Sequence, residues 1–236
     1  NPTDPAQSMI IGTDKDIDGA LYAFDLNGKV IEERTVRGLK RPNNVDIEYG
    51  LVVGTDTIDI AVTGERFTHN MRVFALPEMK VIDNGGIPVF EGEEGVEYRD
   101  LMGVALYKRP TDGAIFAIMG RKTGPTDGTY LWQYLLEGTA EGTSIYDAGN
   151  GKGFILVSDQ QANQFKIYSR EGTSVNPHQH ELLKTIKVST NESDGSEITN
   201  VLLNDTFKHG IFVAMSDNRT FQYYRVEDIL GELLKK

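Results

Sequence analysis

Cysteine is absent from all 236 residues. That removes disulfides, thiolate metal sites and cysteine nucleophiles together, and it leaves the cellular compartment open. Basic residues are in deficit, 24 against 35 acidic ones for a net charge of −11, which argues against a nucleic-acid binder with its basic stripe. No apolar run approaches the ~20 residues of a membrane-spanning helix. No Gly-x-Ser-x-Gly elbow surrounds Ser158 or Ser216, so serine-hydrolase chemistry has no local support. No targeting segment is recognised, and a chain opening at Asn1-Pro2-Thr3-Asp4-Pro5 reads as processed or trimmed. Helix signals are scarce too. The one good example is Val226, Ile229 and Leu230 followed by Leu233 and Leu234 at helical spacing.

What remains is strand. Runs of four to eight residues such as 21–26, 154–158, 165–168 and 210–215 are split by Gly, Asn and Asp turns. Asn27-Gly28 between two runs predicts a type I′ hairpin. A weak repeat emerges. LYAFDLNG (21–28) resembles FKIYSREG (165–172), and MRVFAL (71–76) and LWQYLL (131–136) read as the same strand in other copies. Before each stands a run of the type IIGTDKD, DIAVTGER, AIFAIMGRK or GFILVSDQQ. A recurring inner strand, turn and next strand is the unit of a β-propeller, here about four to five blades' worth in one domain over 1–236.

Three of these runs end in a base: Lys15, Arg66 and Lys122. If inner strands share an axis, the three converge and can hold phosphate through charge-assisted hydrogen bonds. In so acidic a chain that anion would be local and metal-bridged. Strands also commonly end in solvated charge, and that reading stands beside the first.

The stretches IIGTDKD (10–16), LYAFDLNGKVIEE (21–33), RPNNVDIEYG (41–50), DIAVTGER (59–66), GVALYKRPTDGAIFAIMGRK (103–122), 141–172, ESDGSEITN (192–200) and HGIFVAMSD (209–217) carry a likeness. In that order they resemble the β-propeller phytases, calcium-dependent enzymes that remove phosphates from inositol hexakisphosphate (phytate). The resemblance implies an all-β, six-bladed propeller and a small-molecule phosphomonoester substrate. It further implies several Ca²⁺ ions, a monomer, no nucleic-acid or membrane partner, and a secreted or periplasmic setting. It makes Lys15, Arg66 and Lys122 the substrate phosphate ligands, and Glu141 and Asp194 carboxylates of the catalytic calcium cluster. Asn43 and the Val45 carbonyl fall at a separate structural calcium site. It implies attack by a calcium-bound water on a phosphate held by Lys and Arg, with no phosphoenzyme.

Departures accompany the likeness. A calcium-ligating tyrosine of the family is replaced by Met102, and sulfur is a poor ligand for a hard ion. The acid expected two positions before Glu141 falls at Thr139. A central stretch of one to two blades is expected to be missing or deleted near 137–140, and an opening acidic motif would precede Asn1. Lys208-His209-Gly210 is not the Arg-His-Gly of histidine acid phosphatases, and without it or any cysteine the other common phytase chemistries are excluded.

Asp16 and Asp18 read as a solvated turn without the Gly and terminal Glu of an EF-hand. Glu48 reads as surface strand charge, Glu91, Glu93, Glu94 and Glu97 as a solvated acidic loop, His178 and His180 as loop residues, and Trp132 as core. The alternatives to an enzyme are a catalytically weak propeller that binds inositol phosphates or other phosphoesters, and a propeller scaffold for protein binding.

Overall fold

The computed structural model describes residues 1–109, 112–122, 140–176 and 179–235. The strand expected at 131–136, Trp132, residues 137–139 of the expected gap, and His178 lie outside them. The chain forms two compact units, Met9–Trp132 and Asn1–Ser8 with Gln133–Lys236. Both are built from antiparallel meanders, and the fold class is all-β, the β-propeller class.

Among its described residues the first unit holds three sheets. β1 (Ile10–Thr13), β2 (Gly19–Phe24) and β3 (Val36–Leu39) form one. β4 (Pro42–Val53), β5 (Asp56–Glu65), β6 (Asn70–Leu76) and β7 (Lys80–Val81) follow as a meander, with β8 (Ile87–Pro88) also on β6. β9 (Leu101–Lys108) pairs with β10 (Ile115–Arg121).

An alternating strand buries one face, yet Ile60 to Glu65 is buried without a break. The cause is cover on both sides. Ala61 packs with Leu21, Leu39 and Phe74, while Ile60 and Val62 meet Val104, Leu106 and Ile115 from the third sheet. Sheets therefore stack face to face on either side of β5, as propeller blades do. Truncating the fully buried Phe74 would cost about 3–5 kcal/mol.

The second unit repeats the plan. β11 (Ala140–Gly149), β12 (Lys152–Asp159), β13 (Gln164–Ser169) and β14 (Leu182–Ile186) form a four-stranded meander. β15 (Ser196–Ile198), β16 (Ile211–Ser216) and β17 (Thr220–Arg225) form the next sheet. Phe165 meets Phe212 edge-on at 5.1 Å within their shared core. The expected terminal helix is α1 (Val226–Leu230), whose Val226, Ile229 and Leu230 close that core. Its last turn gives way to a 3-10 turn at Gly231–Lys235, and the Lys184 ammonium donates to the Ile229 carbonyl at 2.8 Å.

Two expectations are corrected. The hairpin at Asn27-Gly28 is not type I′, because Gly28 (φ 80) has positive φ and Asn27 does not. Gly28 N donates to Asp25 O and Asp25 N to Lys29 O, a type I turn closed by a glycine bulge. The Asp25 carboxylate selects it by accepting from Asn27 N and Lys29 N, both at 2.8 Å. The Lys29 bond leads the causes that lower its pKa. Secondly, three of the four runs taken as inner strands are second strands: β5, β10 and β12 each follow a paired strand, β4, β9 and β11, while β1 stands first in its sheet.

Candidate functional site

Two second strands end in one motif. Glu65 pairs with Asn70 across the β5–β6 ladder, and Asp159 with Gln164 across β12–β13. Seven residues on, Arg72 lies 3.3 Å from the Glu65 carboxylate and Lys166 lies 3.1 Å from Asp159. The acid fixes the strand end, and the next residue, Arg66 or Gln160, projects from it. After β1, Asp14 does the fixing by accepting from Ala20 N and Asp16 N, and Lys15 follows in left-handed geometry (φ 56). Asp16 and Asp18, expected in a solvated turn, lie in this loop, where Asp18 pairs with Lys40 at 2.6 Å.

Arg66 is nearly buried. Its Nε donates to the Leu101 carbonyl and its Nη2 to the Asn43 side-chain oxygen, each at 3.2 Å. The Met102 sulfur also lies against Nη2. Burial, then the charge of Arg41, pulls the Arg66 pKa down, while Asp100 and Glu97 oppose this. Lys122 uses the same stretch of chain: its N–H donates to the Asp100 carbonyl at 2.8 Å and its ammonium to Glu97 at 2.5 Å. Arg66 and Lys122 are thus both seated on residues 97–102.

Asn43, expected at a structural calcium site with Val45, is 1% exposed. Its amide donates to Asn44 Oδ1 and the Met102 carbonyl, while its oxygen faces the Arg66 guanidinium. A guanidinium on that oxygen does not suit a cation there. Val45 follows a bulge at Asn44, whose carbonyl accepts from Thr63 Oγ1. Asp46 reaches β9 and accepts from Leu106 N at 2.7 Å, and burial raises its pKa against its backbone hydrogen bonds.

In the second unit β11 lies beside β15 in the same direction. Ser144 Oγ meets Ser196 Oγ at 3.4 Å, and Asn200 Nδ2 donates to the Asp147 carbonyl. Followed back, the strands bring the backbone at Glu141 and the loop at Asp194 to one end. Glu141 falls in a bulge between Ala140 and Thr143, opposite the end of β12; its side chain lies outside the described residues. Ser158 at that end donates to the Ser193 carbonyl. The Asp194 carboxylate accepts from Gln160 at 2.5 Å, and Asn163 Oδ1 accepts from Glu192 N at 2.7 Å. Among the described side chains, which do not include that of Glu141, no trio of His, Asp or Glu converges. The oxygens present, from Asp194 and the Gln160 amide, are hard donors of the kind calcium takes.

Gln160 is the residue that sequence reasoning passed over. The seven-residue spacing of acid and base puts it in register with Arg66, a signal available in the sequence.

Stacked antiparallel meanders define an all-β protein of the propeller class. Residues 1–133 and 126–227 match the family model described as Phytase. A curated relative, the 3-phytase of Bacillus subtilis (strain 168), is 23% identical over 279 aligned positions, covering 89% of this chain and 70% of the relative. The chain belongs to the phytase family. Among the described residues no helix is long and apolar enough to cross a membrane.

Proposed function

We propose that this protein is a calcium-dependent phosphatase that removes phosphates from phytate. The observation that carries the reading is the seating of Arg66 and Lys122 on residues 97–102, at the ends of two neighbouring second strands. There the two cations can grip one phosphate by charge-assisted hydrogen bonds. Lys15, in the left-handed turn that follows β1, is assigned the same task.

Calcium would be held by Asp194 and Glu141, with the Gln160 amide oxygen as a neutral donor. When bound, it supplies charge neutralisation to phosphate and acidifies a coordinated water. The protein's own contribution is orientation: Gln160 fixes the Asp194 carboxylate, and Ser158 fixes the loop that carries it. The alignment with the Bacillus subtilis relative spans 279 positions, more than the 236 residues of this chain. Gaps of that extent are compatible with the reading of a single propeller domain over 1–236 that lacks a central stretch near 137–140. Secretion or a periplasmic setting, and a monomeric state, belong to the same proposal.

A second reading is a phosphoester-binding propeller with weak turnover. The Met102 sulfur favours it, since it lies against Arg66 where the family's tyrosine would offer a hard oxygen. Phosphate release from phytate near neutral pH, with calcium and with EDTA, separates the two. Calcium-dependent release establishes the enzyme, whereas tight phytate binding without release establishes the binder.

A further inference from the structure

The segment between β8 and β9 carries Glu91, Glu93, Glu94 and Glu97, and two of these acids are not simply solvated. The Arg121 guanidinium carbon lies 5.2 Å from the Phe90 ring centre and 5.8 Å from that of Tyr98. Its Nη1 stands 3.2 Å from the Glu93 carboxylate. Arg121 therefore fastens the segment to the end of β10. Gly95 (φ 143) makes the close turn possible, because a Cβ there would lie 2.7 Å from the Tyr98 ring. Glu97 turns the chain back at φ 61, a conformation that costs a side-chain-bearing residue energy. The result is a Glu97 carboxylate held on the Lys122 ammonium at 2.5 Å.

We propose that Glu97 is a built-in counter-anion for Lys122, standing where a substrate phosphate oxygen must bind, so that it sets the charge an incoming ligand needs. The proposal rests on the reading that Lys122 binds phosphate. Both side chains are 39% exposed, and ion pairs so exposed to water are weak. A phosphate dianion offers twice the charge of a carboxylate and three acceptor oxygens. It can take Lys122 from Glu97, while singly charged anions exchange at little gain. The site thereby favours densely phosphorylated esters over weakly charged ones. Arg66 feels the same carboxylate through space, so its displacement is sensed by both cations.

The test is calorimetric titration with inorganic phosphate, in calcium and in EDTA, of the wild type, Glu97→Gln, Lys122→Ala and the double variant. Glu97→Gln should bind phosphate about two- to fivefold more tightly, and the gain should vanish when Lys122 is also alanine. Glu97→Asp, one methylene shorter, should fall between wild type and Glu97→Gln. If Lys122→Ala weakens phosphate but Glu97→Gln leaves it unchanged or weaker, the counter-anion role is wrong and the phosphate assignment stands. If Lys122→Ala itself leaves phosphate affinity unchanged, the phosphate assignment falls and the counter-anion falls with it.

Discussion

Arg66 donates from Nη2 to the side-chain oxygen of Asn43 at 3.2 Å, which joins the residue expected on phosphate to the one expected on structural calcium. The pair is buried, and the Asn43 amide also anchors the Met102 carbonyl. Asn43 thus orients the guanidinium. Asn43→Ala should lower stability by about 1–3 kcal/mol, the cost of leaving buried polar partners unpaired, and should raise KM for phytate more than it lowers kcat. The gap in melting temperature between calcium and EDTA should be unchanged. Were the gap to shrink in this variant, Asn43 would be a calcium ligand after all. Thermal melts in both media, with steady-state kinetics, decide it.

Asp83 gives the clearest dependence on pH. Its side chain is fully buried and lies 2.8 Å from Arg72 Nε, and it accepts from Val73 N and Gly85 N. Burial alone would raise its pKa, but the Arg72 hydrogen bond and the backbone donors outweigh it and hold the carboxyl below its ordinary value. A depressed folded-state pKa means that stability is present above the ordinary aspartate value of about 4. It is lost as pH falls through the lower folded-state value. Asp83→Asn should destabilise by about 3–5 kcal/mol at neutral pH, because Arg72 loses its main partner. For a chain of this size that is a fall of about 6–20 °C in melting temperature. The variant should also lose part of the acid dependence below pH 4. A melting profile parallel to wild type from pH 7 down to 3 would rule this account out.

Lys122 is a test of function with little structural confusion. Its contact with Glu97 is half exposed, so Lys122→Ala should leave the melting temperature nearly unchanged. Loss of one group that grips charge in the transition state should cut kcat/KM for phytate by about a hundredfold or more. Normal turnover in this variant would remove Lys122 from the site.

The strands and their repeat were legible because β5, β12 and β16 are short apolar runs with turn residues at fixed offsets. Their rank within each sheet was not. β4 mixes charged and apolar residues, since its Asp46 serves β9 through the Leu106 N–H, and its Glu48 read as surface strand charge. The turn at Asn27 was misread because Asp25, two residues earlier, decides the geometry by accepting from Asn27 and Lys29. The acidic segment read as solvated because Arg121 and Lys122, its partners, lie more than twenty residues away in sequence. Gln160 was not legible because an amide stands at the position where β5 is followed by the cation of Arg66.

That amide leads to the last prediction. Gln160 donates to Asp194 Oδ1 at 2.5 Å and reaches the Glu192 carbonyl at 3.5 Å, so it sets how the carboxylate is presented. Groups that orient a metal ligand typically change metal affinity by about 10–100-fold when removed. Gln160→Ala should therefore raise the calcium concentration for half-maximal phytate hydrolysis by about tenfold, and Asp194→Asn by more, since it removes ligand charge. Ions bound only to the folded protein stabilise it by mass action. EDTA should accordingly lower the wild-type melting temperature more than that of either variant. In EDTA all three proteins should melt together, because Gln160 and Asp194 hold no buried core. A calcium activation curve that Gln160→Ala leaves in place would mean that Asp194 needs no such support. A melting temperature indifferent to EDTA in the wild type would remove calcium from this end of β12 altogether.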